Sequence, residues 1–347
     1  MPFNYKDLNF DNSRITPDAI RAETEQLTEY NENKGLFTVK SASKWIEQAK
    51  SRPIPKMLFG QLWFENELCI LFADTNLGKS ILAVQVGNSI SRGESVKGFT
   101  LEAEKQSVLY FDFELSDKQF EARYSDNFTN HYPFDSNFIR VEINSNSEVP
   151  TNIDFETYLN QSLELTISET GTKILIIDNL TYLRNGTETA KDALPLMKHL
   201  KALKAKYNLS ILALAHTPKR DLSKPITRND LQGSKMLINF CDSSFAIGES
   251  FTDKHLRYIK QIKQRNCELV YDADNVAVCE ISKPSNFLQF EFVNYGTEKS
   301  HLRVPTENDK TELEANAKQL KADGKSIRDI AVILNVSKSQ IDRLIKK

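Results

Sequence analysis

Cysteine is scarce in this chain. Its four residues, Cys69, Cys241, Cys267 and Cys279, stand far apart with no Cys-x-x-Cys spacing. That excludes a zinc site and a disulfide framework. Cys69 and Cys279 fall in apolar, strand-like runs and read as buried free thiols in a reducing compartment. Charge of one sign is lacking too: 45 Lys and Arg stand against 47 Asp and Glu. No global basicity announces nucleic acid, so such a partner has to be met by local patches. No apolar run reaches membrane-spanning length. The N-terminus is polar and acidic, without the hydrophobic core of a secretion signal. These absences predict a cytoplasmic protein with no membrane partner. What remains is ordinary globular composition over 347 residues, with room for one large domain and appendages.

The chain is organised around Leu68 to Ser80. Leu68 to Ala73 reads as a buried strand, Asp74-Thr75-Asn76-Leu77 as a tight loop, and Gly78-Lys79-Ser80-Ile81 as the start of a helix. Strand, loop and helix N-terminus in that order make a phosphate cradle. Backbone N–H groups and the positive end of the helix dipole face an anion. Lys79 is placed to reach the β- and γ-phosphates of ATP, and Ser80 to hold Mg²⁺. Ala73 stands where GxxxxGK[ST] has its first glycine. Ala tolerates positive φ poorly, so the turn is expected at Asn76, a residue that visits the left-handed region readily.

Alternating apolar strands and helices follow, which predicts a parallel sheet covered on both faces. The expected strands are 107–114, 138–143, 173–179 and 208–216; the expected helices are 117–127, 154–168 and 190–207. Beyond residue 240, short strands at 243–248, 255–263, 268–271, 276–282 and 287–293 predict an antiparallel extension. The domain reading is a helical arm over 1–52, an α/β core over 53–296, a linker over 297–309 and a small helical domain over 310–347. In the arm, Thr16-Pro17 caps one helix and residues 41–50 form a second, with Trp45 and Ile46 on one side.

Ligands of open α/β sheets sit outside the carboxyl ends of the strands. Those ends carry the cradle, Glu114, Asp178 and His216. Asp178 follows four aliphatics, the place for an acid that holds Mg²⁺ beside Ser80. Glu114 is placed to activate a water, with Asp112 a competing choice on the same side. His216 is read as a γ-phosphate sensor, a nucleic-acid contact or a structural residue. Lys263 and Arg265 lie two apart at a strand end, on one side. Such a pair can enter a neighbour's nucleotide site as an arginine finger does.

In this order, the phosphate loop, strand-end Glu, aliphatic-Asp-Asn, strand-end His and Lys-Gln-Arg-Asn together resemble RecA-like ring ATPases of the DnaB type. They resemble most the plasmid RepA-type replicative helicases, AAA ATPases of mobile elements. The resemblance spans roughly residues 53 to 295. It implies a RecA-like P-loop NTPase fold and a hexameric ring around single-stranded DNA. It further implies that Lys79 and Ser80 bind nucleotide and Mg²⁺, that Glu114 is the catalytic base and Asp178 the second-motif acid, and that Lys263 with Arg265 acts in trans.

The polar loop from His216 to Lys235 holds five Lys or Arg against two Asp. Lys219, Arg220, Lys224 and Arg228 are the residues expected to track a phosphate backbone. The loop 184–191 is a second, weaker candidate. The tail reads as three helices resembling a helix-turn-helix, with Lys338, Ser339, Gln340 and Arg343 toward duplex DNA. The expected function is an ATP-dependent DNA helicase or translocase serving replication or transfer of a plasmid or mobile element. The alternatives are an ATP-switched DNA-binding regulator or loader, and a sequence-specific DNA binder whose ATP site is structural.

Overall fold

The computed structural model describes residues 33–34, 37–183, 190–217, 220–231, 235–304, 306–334, 336 and 338–346. The helix expected after Thr16, Lys219 and most of the 184–191 loop lie outside those residues. The described chain divides into two compact units at Ile54. In the first, α1 (Ala42–Lys50) forms where the amphipathic pattern places it. The Ser41 hydroxyl caps it by accepting the Lys44 N–H at 3.2 Å.

The second unit is built on one nine-stranded sheet. In chain order its strands are β1 (Leu68–Ala73), β2 (Val108–Asp112), β3 (Phe138–Val141), β4 (Ile174–Asp178), β5 (Ser210–His216), β6 (Ser243–Glu249), β7 (Leu256–Lys263), β8 (Val276–Ser282) and β9 (Gln289–Gly296). Their spatial order is β9-β8-β7-β6-β1-β5-β4-β2-β3. The six strands from β6 to β3 run parallel. β7, β8 and β9 continue the sheet antiparallel. This is the mostly parallel RecA-like P-loop architecture with an antiparallel extension. No helix among the described residues is long and apolar enough to cross a membrane.

Both faces of the sheet are apolar, so the strands read as continuous hydrophobic runs. Along β1, Cys69, Leu71 and Ala73 face one layer and Leu68, Ile70 and Phe72 the other. The first layer is closed by α2 (Lys79–Arg92), through Leu82, Val86 and Ile90. The short helix α3 (Asp117–Arg123) follows β2. The second layer is closed by α4 (Phe155–Thr170), α5 (Ala190–Tyr207) and α6 (Lys235–Phe240), through residues such as Ile167, Leu200 and Leu237. The side-chain amide of Gln85 in α2 gives and takes hydrogen bonds with the Phe290 backbone of β9, at 3.0 and 2.9 Å. It ties the cradle helix to the outermost strand. At Gly248 the ring of Tyr258 crosses so closely that a Cβ would lie 2.1 Å from its Cζ.

Four local expectations change. The helix expected over 117–127 ends at Arg123, and Ser125–Asp126 pairs with Asn130–His131 instead. The strand expected at 268–271 is absent, because the Gln261 side chain takes the N–H groups of Val270 and Tyr271 that a ladder would use. An unforeseen hairpin, Met57–Phe59 with Trp63–Phe64, buries Trp63 completely. The stretch read as the start of a linker opens with a 3-10 turn, Glu298–His301, that is packed into the core. Glu298 there is buried against the Lys260 ammonium at 2.5 Å and accepts the Ile226 N–H at 2.7 Å. The tail forms α7 (Glu307–Ala322), α8 (Ile327–Ile333) and α9 (Lys338–Lys346). They pack on a small centre of Ala317, Ile330, Ala331 and Ile341.

Candidate active site

The site grows from the end of β1. Ala73 is the last residue of the strand and is buried there. The positive φ angles fall on Asn76 (63°) and Gly78 (91°). The missing first glycine is therefore compensated where the chain turns, three residues later. Gly78 has no room for a side chain: a Cβ would come within 2.8 Å of Ile281 and 2.9 Å of Phe290. Strands β8 and β9 thus back the loop and hold it against the helix.

Lys79 is buried, and its ammonium donates to the carbonyls of Ala73 at 3.0 Å and Asp74 at 3.1 Å. Its third contact is Nδ1 of His216, at 3.3 Å. Burial lowers its pKa, and the charges of Asp178, Glu114 and Asp74 oppose that fall. An ammonium can only donate, so Nδ1 is the acceptor in this contact. Nε2 lies 3.6 Å from Glu114 Oε1.

Glu114 stands just beyond β2, half exposed, above the cradle. Asn179 donates its side-chain N–H to Glu114 and lies 3.2 Å from His216 Nε2. The facing imidazole of His216, with Lys79 and Asn179, outweighs partial burial and holds the Glu114 carboxyl below its ordinary value. The carboxylate is charged at neutral pH and pointed at the loop. Asp112 has a different fate. One oxygen is taken by Arg140 at 2.9 Å, and the other accepts the N–H groups of Glu114 and Leu115 at 3.2 and 3.0 Å. Both its oxygens are engaged in holding the strand end, whereas Glu114 lies among His216, Lys79 and Asn179.

Asp178 ends β4 on the α2 side and is 1% exposed. Tyr110 donates its hydroxyl to it at 2.7 Å. Burial pushes the Asp178 carboxyl up to about 6, against hydrogen bonds from Ser80 and Tyr110. A carboxylate and a hydroxyl placed together below the loop are oxygen donors of the kind Mg²⁺ takes beside a nucleotide's phosphates. The site accommodates that ion.

A family model, the AAA domain, matches residues 37–221, more than half of the chain. The chain belongs to that family. The match contains the cradle, Glu114, Asp178 and His216, and the AAA domain identifies a nucleotide-dependent ATPase. No curated protein matches the chain.

The other residues singled out in the sequence lie elsewhere in this AAA-domain protein. Lys263 and Arg265 are on one side, as expected, but they are at the amino end of β1. Asp242 links there, its N–H donating to the Leu68 carbonyl at 2.8 Å and its carboxylate meeting Arg265 at 3.2 Å. Lys263 does not reach out, contrary to expectation. Its ammonium is spent on the carbonyls of Ile238 and Cys241, at 2.5 and 2.7 Å, closing the end of α6. Arg265 is half exposed. Arg220 is half-buried and donates to the Lys224 carbonyl at 3.0 Å, while Lys224 pairs with Asp221 at 3.3 Å. Arg228 is exposed in a 3-10 turn. In the tail Lys338, Ser339 and Arg343 are exposed and Gln340 is half-buried. Asn179, Tyr110 and Arg140 were not foreseen. Only Asn179 had a signal, its place directly after Asp178.

Proposed function

We propose that this ATPase acts as an oligomeric ring that moves on or unwinds single-stranded DNA, in the manner of the RepA/DnaB-type helicases. One observation carries the reading. Glu114 and Lys79 assemble over one cradle, while Arg265 stands at the other end of β1. The length of β1 separates them, about 16 Å at the usual strand rise. The cation is too far to serve its own cradle and is presented to a neighbour's. In this reading the loop's N–H groups and Lys79 hold the β- and γ-phosphates, and Glu114 takes a proton from the attacking water. His216, bridging Lys79 and Glu114, senses which phosphates are present. Ser80 and Asp178 would hold Mg²⁺, which neutralises phosphate charge when bound.

Lys219, Arg220, Lys224 and Arg228 would meet the strand, and Lys338, Ser339, Gln340 and Arg343 in the helix-turn-helix-like tail would meet duplex DNA. The test is complementation. Lys79→Ala and Arg265→Ala should each abolish ATP hydrolysis stimulated by single-stranded DNA. Mixing the two should restore part of it, because one interface then combines an intact cradle with an intact cation. An Arg265→Ala protein of full activity, or mixtures with no recovery, would reject the shared site.

A further inference from the structure

Arg140 projects from β3, a strand whose sequence carries no motif. Its side chain is only 17% exposed, and each of its three nitrogens has an acceptor. Nε donates to Asp112 at 2.9 Å, Nη1 to Asp117 at 2.9 Å and Nη2 to the Leu115 carbonyl at 2.7 Å. Nη2 also meets Glu142, and the Phe120 ring lies 4.6 Å from the guanidinium. The other oxygen of Asp112 accepts from Glu114 and Leu115 N–H. The Phe113 N–H is held by the Asp178 carbonyl at 2.9 Å, and the Ser116 N–H by the Gln119 side chain at 2.9 Å. Every N–H from 113 to 116 is therefore held.

A buried ion pair is a poor way to stabilise a sheet edge, since apolar residues do that as well or better. This pair does something an apolar pair could not. Its free oxygen fixes the backbone that carries Glu114, and its guanidinium fixes the next carbonyl. We propose that Arg140 and Asp112 are positioning residues for Glu114, setting the backbone from which its carboxylate addresses the water at the cradle. The proposal rests on the reading of Glu114 as the base and extends it to residues outside the nucleotide's reach.

The experiment compares full-length Arg140→Met and Asp112→Asn with the parent protein in steady-state ATP hydrolysis. The expected result is a loss of about 10- to 100-fold in kcat, with KM for ATP held within about twofold because the cradle is on other elements. Arg140→Lys should recover little, as one ammonium lacks the planar fork that serves Asp112, Asp117 and the Leu115 carbonyl at once. In a Glu114→Gln background, Arg140→Met should add no further loss. If the Met variant does not fold, Arg140→Gln carries the same comparison. A drop in ATP binding that parallels the drop in rate, or losses that add to Glu114→Gln, would mean a merely structural pair and overturn the proposal. Full rate in Arg140→Met beside an inactive Glu114→Gln would overturn it while sparing the base. Full rate in Glu114→Gln would remove the base itself.

Discussion

The ammonium of Lys79 donates to Nδ1 of His216 across 3.3 Å, joining the cradle to the end of β5. The lysine satisfies its other donors on the loop's own carbonyls. A phosphate that draws Lys79 forward takes this donor away from the imidazole, and the imidazole faces Glu114. His216→Ala should then lower kcat by about 10- to 100-fold while nucleotide affinity changes little, since phosphate contacts remain with Lys79 and the loop. Parallel titration with a fluorescent ATP analogue and phosphate-release kinetics would check this split.

Asp242 gives a pH dependence of stability. Burial raises its pKa, but the Leu68 N–H and Lys204 outweigh burial and bring it below its ordinary value. The Lys204 ammonium is 2.7 Å away. A depressed carboxyl contributes stability that is fully present above its unfolded pKa, about 3.9, and fades as pH falls through the folded value. Asp242→Asn should therefore cost about 2 kcal/mol near neutrality and progressively less below pH about 4. Denaturant melts at a series of pH values would show the two curves converging in acid.

Gly248→Ala tests the close crossing of β6 and β7. The new methyl would meet Tyr258, whose ring is fully buried and whose hydroxyl is 3.3 Å from Glu298. The expected loss is about 1 to 3 kcal/mol, from overpacking alone. Thermal unfolding reads it directly, and retention of the parent midpoint would show that the ring has room to move.

The basic loop makes an ionic prediction. Lys224→Glu with Arg228→Glu should weaken binding to single-stranded DNA of any sequence. It should reduce the slope of log affinity against log salt by about 0.7 per lost contact. Arg343→Glu in the tail should act on duplex DNA and leave the single-strand slope unchanged. Fluorescence anisotropy over a salt series separates the two surfaces.

Much of this molecule was legible because two periods dominate it. Leu68–Ala73, Ile174–Asp178 and Ser210–His216 are apolar runs ended by a loop or a polar group, and they are buried side by side in the sheet interior. Gly78-Lys79-Ser80 announces its chemistry by spacing. The hairpin around Trp63 was invisible, since strands of two and three residues carry no period. The segment 268–271 was misread because a single glutamine, Gln261, supplies from its side chain the partners that a strand draws from a neighbour. Lys263 looked available because its companions, the last carbonyls of α6, lie more than twenty residues away in sequence. The engagement of Asp112 could not be read without Arg140, which lies beyond an intervening helix.

Gln85 makes one rigid piece of two elements with different duties. Its amide matches the Phe290 backbone as a neighbouring strand would, so α2 and β9 cannot slide independently. Beyond that tie the ladder runs from β9 through β8 to β7, which ends two residues before Arg265. The amide works as a tie-rod between the helix that opens at the cradle and the edge strand of the sheet.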